Sequence, residues 1–251
     1  MSYQPTSAGG YQIDVLGATT RAYRSIGANI ALLVEFAWLP LAIVWGIAVL
    51  ASLINGGLFG RLLASLFDAI GFLVFGTTFL VRCHRFALLG ERDAINLFPS
   101  GWGDFFITGV KLGACVFVAT IVLGLIMTLP PHALTVPLAV IGYFVVAFAS
   151  MRVSLAFPAA AIAQPIALRE AWDRAAGNYW RLVGSLILCY LPFAIVDMIV
   201  LRLGLSSFWL IWLILEAIRL AVTFVGLAVI ASFLSETYAG ILHGGEVRPA
   251  P

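Results

Sequence analysis

Charge is what this sequence has least of. Only 10% of its 251 residues are charged, against about 25% in an ordinary soluble domain. So few polar side chains cannot cover a water-facing surface, which excludes a soluble globular protein. With 62% hydrophobic residues and a mean hydropathy of +1.06, lipid must be the solvent for most of the chain. Cysteine is almost as scarce. Cys83, Cys115 and Cys189 lie far apart in or beside apolar runs, without C-x-x-C spacing. That argues against disulfide or metal roles and leaves them as small packing residues. Histidine is confined to His84, His132 and His243, so no paired His ligands exist. His84 sits between Arg82 and Arg85 and reads as a surface basic residue. No G-x-S-x-G, H-E-x-x-H or P-loop occurs, and nothing sets a nucleophile beside a base. The expectation is a non-enzymatic protein with no cofactor and no metal. The net charge of +2 is not gathered on a solvated domain, so nucleic acid is not an expected partner.

What is present is apolar length. The runs are continuous and lack the period-2 alternation of a lipid-facing barrel. They predict an all-α integral membrane protein with six transmembrane helices of about 20 residues or more. The segments are 28–54, 62–81, 106–129, 134–157, 182–201 and 207–234. Residues 1–14 lack a basic region before a short apolar core, so they are not a secretory signal. Their Gly, Ser, Pro and Gln favour a disordered cytosolic tail. Residues 15–240 then form the six-helix bundle, and residues 241–251 a second cytosolic tail.

All but one of the fourteen basic residues are arginine, and their positions orient the chain. Arg21, Arg24, Arg82, Arg85, Arg92, Arg169, Arg174, Arg181 and Arg248 fall on one side of the six-span arrangement. Arg61 and Arg202 fall on the other, along with the turn Pro130-Pro131-His132. Positive loops stay inside, so both termini are expected in the cytosol, in a multi-pass inner-membrane protein. The helices pair as three hairpins, each opened by an aromatic, partly charged cytosolic segment: residues 11–24, 97–106 and 165–181. Trp102, Trp172, Tyr179 and Trp180 suit the headgroup layer. The stretch 167–197 shows the unit most clearly, an amphipathic interfacial helix followed by a spanning one. Trp38-Leu39-Pro40-Leu41-Ala42-Ile43-Val44 repeats as Tyr190-Leu191-Pro192-Phe193-Ala194-Ile195-Val196, which points to an internal repeat. Pro40 and Pro192 each remove a backbone donor and should kink their helices.

The residues that could carry chemistry are the ionisable ones within the spans: Glu35, Asp68, Asp197, Glu216 and Arg219. Arg152 lies nearer the cytosolic edge, with Arg82, His84 and Arg85. A charge at the centre of an isolated inserting helix costs about 2.5 to 3.5 kcal/mol, so all five are expected to face the bundle interior. Arg219 is expected to pair with Glu216 one turn away, with Asp68 the next candidate and the shallower Asp197 a weaker one. Structural pairing is one role for this cluster, and a proton or cation path is another. A third is binding of an anionic lipid headgroup near Arg219 or Arg152. The expected partners are the bilayer, anionic headgroups and another membrane protein.

Residues 79–91 (FLVRCHRFALLGE) look like the exit of the second helix in uncharacterised six-helix inner-membrane proteins of bacteria. Arg152, Leu155, Ala156, Phe157 and Pro158, followed by Ala171-Trp172 and Gly177-Asn178-Tyr179-Trp180, resemble the membrane domain attached to some glycerophosphodiester phosphodiesterases. The resemblance implies a helix-hairpin bundle with cytosolic amphipathic elbows. The phosphodiesterase barrel and its metal-binding acids are missing here, so that activity does not carry over. The reading is a membrane-embedded scaffold, accessory or lipid-interacting protein; the alternative is a small proton- or cation-linked transporter or channel using the buried carboxylates.

Overall fold

The computed structural model describes residues 11–54, 56–127, 132–204 and 208–242. Every regular element among the described residues is a helix. Five helices are long and apolar enough to cross a membrane: α2 (Ile30–Leu53), the composite Gly57–Leu89, α5 (Trp102–Ile126), α9 (Tyr179–Gly204) and α10 (Trp209–Leu242). The segment expected as a fourth span is helical as α6 (His132–Arg152), but its apolar part, Pro137–Arg152, falls short of that length.

Three shorter helices gather at one end of the bundle, here termed the elbow end. The first, α1 (Val15–Ala28), is capped by Asp14, whose Oδ1 accepts from Gly17 N at 3.1 Å. It buries Ala18, Thr19 and Ala22 against α9 and α10 and leaves Arg21 and Arg24 exposed. Small side chains at 18 and 22 permit that close approach. Asn29 breaks the helix before α2, so residue 28 belongs to α1 and not to the first span.

The composite helix is α3 (Gly57–Gly71), a π-helical turn (Phe72–Gly76) and α4 (Thr77–Leu89). Gly71 lies against α2, where a Cβ would meet Ile47 Cδ1 at 2.7 Å. Beyond the wider turn, the buried positions run through Thr77, Thr78, Phe79 and Val81 to His84.

The predicted span 134–157 is divided. α6 stops at Arg152, and α7 (Ala156–Ala161) starts after a three-residue turn. Apart from Phe157, every residue of α7 is buried, and α5, α4 and α10 pack around it. Its last carbonyl abuts Gly101, where a Cβ would stand 2.3 Å from Ala161 O at a φ of +83°; only glycine fits that approach. The segment 165–181 contains α8 (Leu168–Arg174), which buries Ala171 while Arg169, Glu170 and Asp173 remain exposed.

Part of the segment expected as a tail over residues 1–14 is packed against the bundle. Ile13 is buried, and the Asn178 side-chain amide grips the chain there like a neighbouring strand: its Oδ1 accepts from Ile13 N at 2.9 Å and its Nδ2 donates to Tyr11 O at 2.6 Å. Arg181 Nη1 also donates to Ile13 O at 3.3 Å. One apolar residue and satisfied backbone groups outweigh the polar composition around them. Residues 1–10 and 243–251 lie outside the described residues.

Consecutive long helices pack on each other: α2 on α3, α5 on α6 and, most extensively, α9 on α10. The core sits at the elbow end. Before Phe224 the long α10 buries only Leu213 and Leu220, but it packs densely from Phe224 to Gly240. By contrast, α5 buries only Phe105 and Thr108, both near its start.

Candidate functional site

Two polar clusters and a surface groove account for the residues singled out above. The first cluster is at the elbow end. Arg82 is 2% exposed. Its Nη1 donates to Phe36 O at 3.0 Å and its Nη2 to Asn96 O at 2.8 Å. The first of these contacts has a local cause. Phe36 O is the carbonyl that residue 40 would satisfy in a regular helix, and Pro40 has no N–H to offer. Arg82 therefore supplies the donor that Pro40 withholds. The second proline repeats the arrangement with a different partner. Pro192 frees Leu188 O, and the Tyr23 hydroxyl lies 3.3 Å from that oxygen and 2.9 Å from Cys189 O. Burial, and secondarily Cys189, push the Tyr23 hydroxyl above its ordinary pKa, so it stays a donor.

His84 is not the surface residue its neighbours imply. It is 1% exposed, and its Nδ1 lies 2.8 Å from Ser235 Oγ. Residues 82 and 84 point about 200° apart around a helix, and both are buried because α4 has α10, α2, α7 and α5 packed around it. The π-helical turn upstream helps set which face points inward. Arg85 is partly buried and binds Glu91 through two bonds, of 2.7 and 2.6 Å. Its Nη1 also reaches Ser100 O and Ala161 O at 3.1 Å each. This arginine ties the 90–101 loop to the end of α7. Arg152 donates to Trp172 O at 3.1 Å, and its guanidinium stacks 4.1 Å from the Trp172 ring and 5.4 Å from that of Tyr179. Trp172 is thus covered by a cation, while Trp180 is left 71% exposed. The indole of Trp102 donates to Thr78 Oγ1 at 3.2 Å.

The second cluster lies toward the opposite end. Arg219 forms a two-bond pair with Glu216, Nε to Oε2 at 2.8 Å and Nη2 to Oε1 at 2.5 Å. Its Nη1 lies 3.6 Å from Asp197 Oδ1, an oxygen that is buried and makes no hydrogen bond. The cross-helix acid is therefore Asp197, ahead of Asp68. The reason is packing: α9 lies along α10, whereas α3 packs chiefly on α2. Asp68 stays within electrostatic reach of Glu216 and Arg219 without an ion pair. It is exposed, although Ala64 and Gly71 on the same stripe of α3 are buried.

Glu35 does not join this cluster, and it does not face the interior. The buried face of α2 is Leu33, Phe36, Pro40 and Val44, and Glu35 is exposed in the second turn. A carboxylate so near the helix start can stay hydrated, so the cost that would drive it inward is absent. It lines a groove with Trp38, Leu39 and residues 92–95.

Asn178, Tyr23 and Ser235 are the site residues that sequence reasoning misses as polar partners. The first stands within a quoted motif, but its role depends on a segment more than 160 residues away. Proline positions hold the one usable signal, because each predicts a carbonyl in need of a donor.

No group of His, Cys, Asp and Glu that could hold a metal ion occurs among the described residues. Comparison with protein-family models, with curated proteins and with solved structures returns no match.

Proposed function

We propose that this chain is a non-enzymatic integral membrane protein of six spans in three hairpins, acting as a lipid-interacting scaffold or accessory protein. In this reading it sits in a bacterial inner membrane with both termini cytosolic. One observation carries the proposal: α5 is a 25-residue apolar helix with only Phe105 and Thr108 buried. Such a helix has its apolar side chains turned outward along most of its length, toward lipid or another membrane protein. The pairing of consecutive helices supports the hairpin arrangement, and the matching Pro40 and Pro192 segments support the repeat. Purification in mild detergent tests the role: copurifying lipid, or a stoichiometric membrane partner, is expected. A protein that is delipidated without loss and runs alone contradicts it. Reporter fusions test the topology. Fusions after residue 131 should read periplasmic, and fusions after residues 95, 170 and 245 cytosolic.

A second reading, a small proton- or cation-linked transporter, has its own support. Glu216, Asp197 and Asp68 are three acids near the cation Arg219, and Asp68 is exposed. An excess carboxylate without an ion-pair partner can exchange a proton. Proteoliposomes carrying a pH-sensitive dye would show this as flux that Asp68→Asn removes. Flux equal to that of empty vesicles excludes it.

A further inference from the structure

We infer that the groove between the start of α2 and the loop of residues 90–101 binds the headgroup of a phosphoethanolamine-type, zwitterionic phospholipid. The inference rests on the lipid-interacting reading above and names the class of lipid. The groove has a volume of about 480 Å³, within the roughly 300–1,000 Å³ of small-molecule sites. Glu35, Trp38 and Leu39 line it from α2, and Arg92, Asp93 and Ile95 from the loop.

The charges in this groove are differently committed. Asp93 Oδ1 accepts from Ile95 N at 3.1 Å and Asn96 N at 3.3 Å, so Asp93 shapes the loop. Glu35 and Arg92 form no ion pair or side-chain hydrogen bond with any described residue, including each other. Opposite charges that share a groove without pairing are complementary to a ligand carrying both signs. Arg92 matches a phosphodiester, and Glu35 matches a primary ammonium, which offers three N–H donors. A phosphoglycerol headgroup satisfies Arg92 but offers Glu35 only neutral hydroxyl donors in place of a cation. A trimethylammonium has no N–H to give Glu35.

Depth identifies the ligand as a lipid. Glu35 is five residues beyond Ile30, so about 7.5 Å along the axis at 1.5 Å per residue. The headgroup layer is about 5–7 Å thick on each side of the hydrocarbon. Trp38, three residues deeper on the same face, is 60% exposed, and Ile95 is 87% exposed. The walls are charged above and apolar below, so the occupant must be polar above and apolar below.

The test is native mass spectrometry of the full chain in mild detergent. It is titrated with phosphatidylethanolamine, phosphatidylglycerol and phosphatidylcholine of identical acyl chains. Phosphatidylethanolamine should be retained about two- to fivefold over the others, the range one exposed charge pair supplies. Glu35→Gln should abolish its preference over phosphatidylglycerol, and Arg92→Gln should lower retention of all three. Neither side chain holds the fold together, and an unchanged size-exclusion profile checks this. A Glu35→Gln protein with wild-type preference overturns the site, as does a wild type that prefers phosphatidylglycerol. Lipid retained without headgroup preference overturns the site and leaves the lipid-interacting reading standing; a wild type that retains no lipid overturns both. Equal retention of soluble phosphoethanolamine overturns the phospholipid assignment.

Discussion

The two ends of the bundle handle polar groups in opposite ways. At the elbow end, Arg82, Arg85, Asn178 and Tyr23 each bond backbone carbonyls, and three apolar clusters pack around them. Toward the other end, one arginine meets acids in a loosely packed region where Arg219 is still 32% exposed and a buried Asp197 oxygen lacks a hydrogen bond. The difference teaches where to look for structure and where for exchange. Groups that complete backbone hydrogen bonds in a dense core have one arrangement, whereas acids sharing a partly exposed cation can redistribute protons and partners.

The largest effect should come from breaking the dense end at Arg82. Arg82→Leu leaves the Phe36 and Asn96 carbonyls without their donor, at a cost of about 1–3 kcal/mol each. Thermal unfolding in detergent should show this. Adding Pro40→Ala returns an N–H to Phe36 O, so the double variant should recover about 1 kcal/mol. If Pro40→Ala gives no recovery, the link between Pro40 and the arginine is wrong.

At the loose end, Arg219→Leu should cost about 1–2 kcal/mol, below the roughly 3–5 kcal/mol of a fully buried pair, because the guanidinium is only partly buried. The Arg219→Leu/Glu216→Leu double variant should be the more stable of the two in folded yield. A harmless Arg219→Leu would break the comparison, since Glu216 would then be free to titrate.

Asn178→Ala should cost about 1–2 kcal/mol and show locally, as faster amide exchange at Ile13. Global loss without local release would show that Asn178 acts elsewhere. The smallest effect sharpens the dense end by improving it. Ala163 holds a left-handed φ of +57° after α7, where Ala163 N bonds Ala160 O and Gln164 N bonds Ala159 O. A non-glycine residue is disfavoured there by about 1 kcal/mol. Ala163→Gly should raise the unfolding temperature slightly, and a lowered one would refute this account.

Much of the helical layout can be read locally. Apolar length marks the long helices, Asp14 and Asn29 punctuate α1, and Pro40 and Pro192 announce where helix carbonyls go unpaired. Those are properties of a few neighbouring residues and the backbone they belong to. The inward placement expected for Glu35 and Asp68, the surface placement expected for His84 and the unbroken span through residue 157 are not of that kind.

What the sequence by itself determined is that the chain forms helices, several of them long and apolar enough to cross a membrane, and that Arg219 has Glu216 one turn away. Composition and short-range spacing decide such matters, because every backbone group in hydrocarbon must be satisfied within its own segment. What only the tertiary structure decided is which donor meets each freed carbonyl, which acid reaches Arg219 across a helix boundary, and that Glu35 and Arg92 share a groove without pairing. Those depend on distances between residues as far apart in sequence as Tyr23 and Cys189, and packing sets them.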